Sequence, residues 1–263
     1  MPPVGPDRAQ QGDFPYWLVA VVLLLGGAYV AVLSEETTRQ VLFTLRKGLG
    51  ITVLVTVVSF AAASLAGLGI ALMSLSGNII LRQVARFYTE IVRGIPILVL
   101  LLYVAFVLAP GLMGFWNWLG LPELRTRDVP LLWRAILALV IAYSAFIAEV
   151  FRAGLQSVDA GQIEAAQALG LKRWHRFRFI VMPQAIRTIL PPLGNDFVAM
   201  VKDSSLVSVV GVLDIAQLGK LTAAGNFRYF ETYNVVALIY LTMTVLLSLG
   251  LRRLEGFLAR KQG

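Results

Sequence analysis

The chain has 263 residues, of which 58% are hydrophobic and 14% charged, against roughly 25% charged in an ordinary soluble domain. With a mean hydropathy of +0.76, it has too little polar surface to cover a core in water, so lipid is the solvent for most of it and a soluble protein is excluded. The net charge is +8, but the basic residues sit between long apolar runs, where they orient a chain in a bilayer rather than contact nucleic acid. There is no cysteine, so disulfides, thiolate nucleophiles and Cys-ligated metal sites are excluded. His175 is the single histidine, and metal ligation or a His-based triad would rest on it alone.

A membrane helix needs about 20 mostly apolar residues. Residues 16–33 form the first charge-free stretch, longer than a usual signal-peptide core, and read as an uncleaved helix. Residues 48–81 are uncharged and long enough for one helix whose ends pass beyond the hydrocarbon. Residues 94–122 give another span, and Asp128 and Glu149 bracket a fourth, with Arg134 near one end where its side chain can snorkel to the interface. Residues 188–211 are apolar but interrupted by Pro191, Pro192, Asn195, Asp196, Lys202 and Asp203, so this segment is expected to face protein or a cavity rather than lipid. Residues 232–251 form the cleanest span, ended by Arg252 and Arg253.

Six spans put both termini on one side. The amino-terminal tail with residues 76–93, 152–187 and 252–263 holds 14 Lys and Arg, and the opposite loops, 34–47, 122–134 and 211–231, hold 8. The cytoplasm is therefore expected to hold both termini and the long 152–187 loop.

That loop carries the most information. Asp159 followed by Gln162 is a capping-box pattern and Gly170 a left-handed stop, which predicts a helix of about ten residues between them. Ile163, Ala166 and Leu169 share one face of it, a narrow apolar edge suited to a partner's groove. Lys172, Arg173, Arg176 and Arg178 then alternate with Trp174, Phe177 and Phe179, and Pro183 is expected to limit helix continuation. On composition alone the segment could equally rest on lipid headgroups, its bases against anionic lipid.

The spacing favours a partner. Glu164, Ala165 and Ala166, three residues, Gly170, nine residues, Ile180, one residue, Met182 and Pro183 resemble the EAA loop of ABC importer permeases. That pattern has Leu where Met182 stands, a volume-conserving change. The stretches YTEIVRGIP (residues 88–96), AEVFRAGLQSV (148–158), VKDSSLVSVVGV (201–212) and FRYFETYNVVALIYL (227–241) look like the polar amino-acid branch, the histidine and glutamine type. The resemblance covers roughly residues 45–255, and the first helix is a departure from relatives with five spans.

The resemblance implies an all-α polytopic membrane protein of about six transmembrane helices with a type I ABC importer core. Residues 1–47 would be a tail, an extra helix and a loop, residues 48–255 the transmembrane domain, and residues 256–263 a cytoplasmic tail. It also implies a bacterial inner-membrane location, a second permease subunit, identical or related, an extracytoplasmic solute-binding protein and two ATPase subunits. No phosphate loop occurs here: Gly219 and Lys220 have Asp214 at the required first position and Leu221 at the last. No cofactor is expected on this chain, and ATP and Mg would be bound by the partner ATPase. Within the implied coupling set of Glu164, Ala165, Ala166, Gly170, Ile180 and Pro183, Glu164 is the expected loop contact.

Charges at membrane depth are functional suspects. Lys202 and Asp203, with Ser204, Ser205, Asn195 and Asp196, are candidates for the substrate pathway, where an amino acid's carboxylate and ammonium would complement Lys and Asp. Alternatively Lys202 and Asp203 neutralise charges on other helices. Glu90 and Arg93 before Gly94, and Glu149 and Arg152 before Gly154, repeat an i, i+3 pair near predicted cytoplasmic helix ends, suited to anchoring or gating. A different class of function is an ion-coupled secondary amino-acid carrier, with Asp196, Lys202, Asp203 and Glu149 relaying protons or sodium. The absence of a second set of matching spans and the presence of the loop motif argue against it.

Overall fold

A computed structural model describes residues 16–260, apart from the side chains of residues 255 and 257–260. The amino-terminal tail through residue 15 and residues 261–263, both expected in the cytoplasm, lie outside the described residues. Among the described residues every regular element is helical. Five segments are long and apolar enough to cross a bilayer: α1 (Tyr16–Ser34), α2 (Glu36–Ser74), the run Ile97–Trp118, α6 (Leu131–Gln156) and the greater part of α11 (Tyr229–Arg260). The expected internal span is α9 (Met182–Asp203), which tightens into a 3₁₀ segment, Ser204–Val210, and after a break resumes as α10 (Ile215–Asn226).

Two boundaries differ from the sequence reading. Residues 36–47, expected as part of a loop, are the first three turns of α2, in which Arg39 pairs with Glu36 and Gln40 Nε2 donates to Glu36 Oε1 at 2.8 Å. At 39 residues α2 is roughly 58 Å long, about twice the hydrocarbon thickness. Charges in its first turns reach water, so a charge-free criterion begins the helix too late. Its other end comes early, at Ser74, because Ser76, Gly77 and Asn78 make a turn and Asn78 Oδ1 caps α3 (Ile79–Gly94) by accepting from Ile80 N at 2.8 Å.

Lipid offers no hydrophobic drive to pack helix on helix, so close approach of small residues must supply the contact. On α2 the buried stripe is Gly48, Thr52, Thr56, Ser59, Ala63, Gly67 and Ala71. Buried Ala135, Ala138, Ala142, Ala145 and Ala148 answer it on α6. A Cβ on Gly67 would stand 3.0 Å from Ser144 O, and one on Gly48 2.6 Å from the Ile215 nitrogen, so α6 and the start of α10 pack directly on the α2 backbone.

The run Ile97–Trp118 is α4 (Ile97–Tyr103), a π segment, Val104–Leu108, and α5 (Ala109–Trp118). Pro110 explains the widened turn: it has no amide for Ala105 O, which lies five residues before it, and its ring would crowd an ordinary α-turn. Arg134 fills the gap. Rather than snorkelling to the interface it is buried, donating from Nη1 to Ala105 O at 3.4 Å, from Nε to Val129 O at 3.0 Å, and to Thr126 O.

α1 lies at the periphery, with Val32 its one buried residue. Tyr29 Oη meets Thr242 Oγ1 at 3.1 Å and the Arg252 guanidinium lies 4.7 Å from the centre of the Trp17 ring, so α1 runs antiparallel to α11 and begins at the end where α11 finishes.

Candidate functional site

The predicted loop helix is α7 (Ala160–Ala168). Asp159 Oδ1 accepts from Gln162 N at 3.2 Å, and Gly170, with φ +75°, closes the helix by donating to Gln167 O at 2.9 Å while Leu171 N reaches Ala166 O at 3.1 Å. A side chain at that left-handed position would be strained, which is why glycine stands there.

The apolar edge expected to enter a partner is divided. Ala166 is buried and Ile163 half-buried against Val158, Ala185 and Ile189, so these residues anchor α7 to its own chain. Gln184 Nε2 adds a hydrogen bond of 2.6 Å to Gln162 Oε1. Leu169 is 82% exposed and stands on the outer side with Glu164 and Ala165, also exposed, and Glu164 has no ion-pair partner among the described residues. Ile180 and Pro183 lie where the loop rejoins the bundle, Ile180 half-buried and Pro183 exposed.

Pro183 does not limit the helix there. α8 (Arg173–Arg176), a π segment, Phe177–Val181, and α9 follow one another without a break, and Pro183 occupies the first turn of α9. The π turn precedes this proline at the same spacing as at Pro110, and for the same reason. In both places one wide turn avoids the steric clash and leaves the helix unbroken.

At the far end of α9 the structure separates residues that the sequence sets side by side. Asp203 turns to α6, where Tyr143 Oη donates to its Oδ2 at 2.7 Å. Asp196, two turns earlier on the same face, is half-buried, and its Oδ2 is buried without a hydrogen-bond partner among the described residues. Lys202 points the other way, into a groove against α1 and α11, so it does not join Asp203 in one polar site. Ser204 is buried and donates to Val201 O at 2.7 Å, Ser205 is half-buried with its carbonyl accepting from Ser208 Oγ at 2.6 Å, and Asn195 is exposed.

Two groups here escaped the sequence reading. Tyr143 lies mid-span, where a lone phenol carries little signal until its acceptor is known. Asp214 is fully buried at the break between the 3₁₀ segment and α10, accepting from Gln217 N at 2.8 Å and from Tyr240 Oη at 3.0 Å. It caps the half-helix, and the Asp-x-x-Gln spacing could have revealed it.

The repeated Glu and Arg pairs come together. Glu90 and Arg93 on α3, and Glu149 and Arg152 on α6, line one cavity of about 410 Å³ with Arg86 and Gln156. Arg152 donates to Glu149 Oε2 from Nη2 at 2.6 Å and from Nε at 3.1 Å, and from Nη1 to Gln156 Oε1 at 2.7 Å. The expected pair on α3 is not formed: Arg93 lies over the Phe146 ring, 5.7 Å from its centre, and neither Glu90 nor Arg86 has an ion-pair partner among the described residues. Arg86 stands one turn before Glu90, a spacing readable in the sequence once the helix is known.

Residues 63–263 match the family described as binding-protein-dependent transport system inner membrane component. The probable amino-acid permease protein YxeN of Bacillus subtilis (strain 168) is 35% identical over 208 residues, 78% of this chain and 87% of that protein. The glutamine transport system permease protein GlnP of Escherichia coli (strain K12) is 36% identical over 209 residues, 80% of this chain and 90% of that one. Among solved structures, an amino acid ABC transporter crystallised with histidines superposes with a TM-score of 0.68 at 37% identity, covering 81% of this chain and 92% of that one. The inward-facing MetNI methionine ABC transporter shares the fold, with a TM-score of 0.65 at 21% identity over 85% of this chain and 99% of that one. This chain belongs to the family of binding-protein-dependent transport system inner membrane components.

Proposed function

We propose that this chain is the membrane-spanning permease subunit of an ATP-driven importer of polar amino acids. The observation that carries the reading is the division of α7: one side is fixed to its own chain by Ile163, Ala166 and the Gln162–Gln184 hydrogen bond, and the other presents Glu164, Ala165 and Leu169 outward. A helix held on one face and unpartnered on the other is suited to receive a push from a separate subunit. The family membership and the amino-acid permeases among its relatives support the substrate class.

The energy source is a pair of ATPase subunits, which bind ATP and Mg, and a solute-binding protein delivers the substrate on the other side. A second permease, identical or related, completes the pathway. The basic loops and the Trp17–Arg252 contact favour a cytoplasmic position for both ends of the chain, with the coupling loop on that side. ATPase closure draws the loop helices together and biases the spans between inward-open and outward-open states.

Along the pathway, Asp196 and Asp203 with Tyr143 offer acceptors suited to a substrate ammonium, and Asn195, Ser204 and Ser205 lie on the same segment. Lys202 is not part of this set. The Glu149–Arg152 pair, beside Arg86 and Glu90, which have no ion-pair partner among the described residues, lies at the start of the loop and is suited to gating at the cytoplasmic end.

The test is reconstitution with the ATPase and binding protein. Uptake should require both partners, and Asp203→Asn should lose transport while assembly and ATPase docking persist. Uptake by this chain alone in liposomes would instead establish the ion-coupled carrier, and loss of assembly in Asp203→Asn would make that residue structural.

A further inference from the structure

Lys202 carries a charge at membrane depth that nothing among the described residues neutralises. Its neighbour Asp203 is taken by Tyr143, and among the described residues no other carboxylate pairs with the ammonium. The side chain opens into a cavity of about 300 Å³ between α1, α9 and α11. A cation in that position is expensive unless an anion or water meets it.

The cavity is graded in chemistry. Lys202, Ser248 and Arg252 give it a basic, hydrogen-bonding side, and Leu18, Val245 and Leu249 an apolar wall. Arg252 ends the uncharged run of α11 and lies on the Trp17 ring, a pairing of cation and aromatic that belongs at the headgroup level. Gly194, eight residues before Lys202, packs on Leu251, so Lys202 lies about two turns deeper than Arg252. An occupant must therefore carry negative charge near the interface and hydrocarbon beside it. A free carboxylate or phosphate meets the first requirement only.

We propose that this cavity binds an anionic phospholipid, with its phosphodiester beside Arg252, the Lys202 side chain reaching up to it, and the start of an acyl chain along Leu249 and Val245. The site exists because of α1, which supplies one wall. It also gives that helix a reason to stay: α1 buries Val32 alone, and a lipid spanning α1, α9 and α11 joins it to the bundle through shared contacts.

The test uses the full permease purified with its ATPase partner and exchanged into bilayer discs of equal parts phosphatidylglycerol and phosphatidylcholine, with retained lipid counted by native mass spectrometry. Wild type should keep phosphatidylglycerol in preference. Lys202→Gln and Arg252→Gln should each weaken retention about fivefold, the effect of one basic residue near an anionic headgroup. Lys202→Arg should retain it, and Arg253→Gln, outside the cavity, should match wild type. Leu249→Trp fills the apolar wall with both charges in place and should also lose the lipid, which keeps the test decisive if a charge variant fails to assemble. Retention unchanged in Lys202→Gln and Leu249→Trp overturns the proposal. So does equal retention of phosphatidylcholine, and so does displacement by excess inorganic phosphate, which identifies a free-anion site instead.

Discussion

The division of α7 predicts that two leucine-sized side chains on one short helix have different tasks, which truncation separates. Leu169 is 82% exposed, so it contributes little to the isolated permease and is available for burial in a partner. Full burial of a leucine side chain is worth about 1.5–3 kcal/mol, so Leu169→Ala should weaken ATPase docking by about 2 kcal/mol, roughly 30-fold in Kd. Ile163 packs against Val158, Ala185 and Ile189. Ile163→Ala should remove about 1–2 kcal/mol from the anchoring of α7, given its half-buried site. A loop held shut by several kcal/mol remains mostly closed after that loss, so docking should fall by less than about twofold. Titration of a labelled ATPase subunit against detergent-purified permease reads the first effect. Hydrogen exchange across residues 158–170 reads the second, as faster exchange in Ile163→Ala alone. The opposite pattern, with Leu169→Ala docking normally and Ile163→Ala losing 30-fold, would refute the division and return the helix to the single apolar edge of the sequence reading.

Glu164→Lys, which reverses an exposed charge without disturbing packing, should leave membrane insertion intact and uncouple ATP hydrolysis from uptake; unimpaired uptake in liposomes would sink the coupling role. Arg134→Met removes the donor to three backbone carbonyls, of which Ala105 O is the buried one, at about 1–3 kcal/mol for that acceptor left bare, so the melting temperature in detergent should fall by several degrees, and an unchanged value would mean that water reaches Ala105 O. Glu149→Arg or Arg152→Glu alone should impair transport by putting like charges in the cavity between α3 and α6, and the double exchange should restore it in part. Failure of the double exchange with both singles well folded would argue that the positions are not equivalent, as expected if Gln156 fixes the direction of the pair.

The fold was legible where the physics is local. Long uncharged runs, the Asp159 cap and the Gly170 stop are short-range patterns, and each corresponds to an element in the structure. Helix ends were misjudged where charge continues a helix into water, as in residues 36–47, and where turn chemistry interrupts an uncharged run, as at Ser76, Gly77 and Asn78. Pro183 is expected as a stop because a proline disfavours a regular α-turn, but a π turn before it relieves the crowding, and α9 continues through Pro191 and Pro192 as well. Of the candidate site, the position of the α7 helix was readable from its cap and its glycine stop. The membrane-depth residues could be named but not grouped, because adjacent helical positions point about 100° apart. Lys202 and Asp203 thus enter different environments, and only tertiary contacts reveal that Tyr143 takes one and the α1 groove the other. Small-residue stripes on α2 and α6 were present in the sequence too, but in so apolar a chain Ala and Gly are easily read as filler.

These placements bear on how the proposed push on α7 would reach the middle of the membrane. The loop joins the end of α6 to the start of α9, and the two helices it joins are packed on each other: Gly154 leaves room for Ile189 against the α6 backbone, and some eleven residues deeper Tyr143 on α6 bonds to Asp203 on α9. A close contact near the loop and a hydrogen bond far from it hold the pair as a unit, so a displacement of α7 tilts α6 and α9 together rather than opening a gap between them. Resistance must then fall on the outer faces of the pair, where α6 meets α2 along the alanine stripe and faces α3 across the Glu and Arg cavity. Along α2 the contact is close, with Ile147 and the Ser144 carbonyl against Gly67, whereas the cavity has room for its charged groups to exchange partners. On the proposed coupling role of α7, a movement introduced at the loop is therefore expected to appear first in that cavity and then at Asp203, an order that places the charge pair between α7 and the carboxylates of α9.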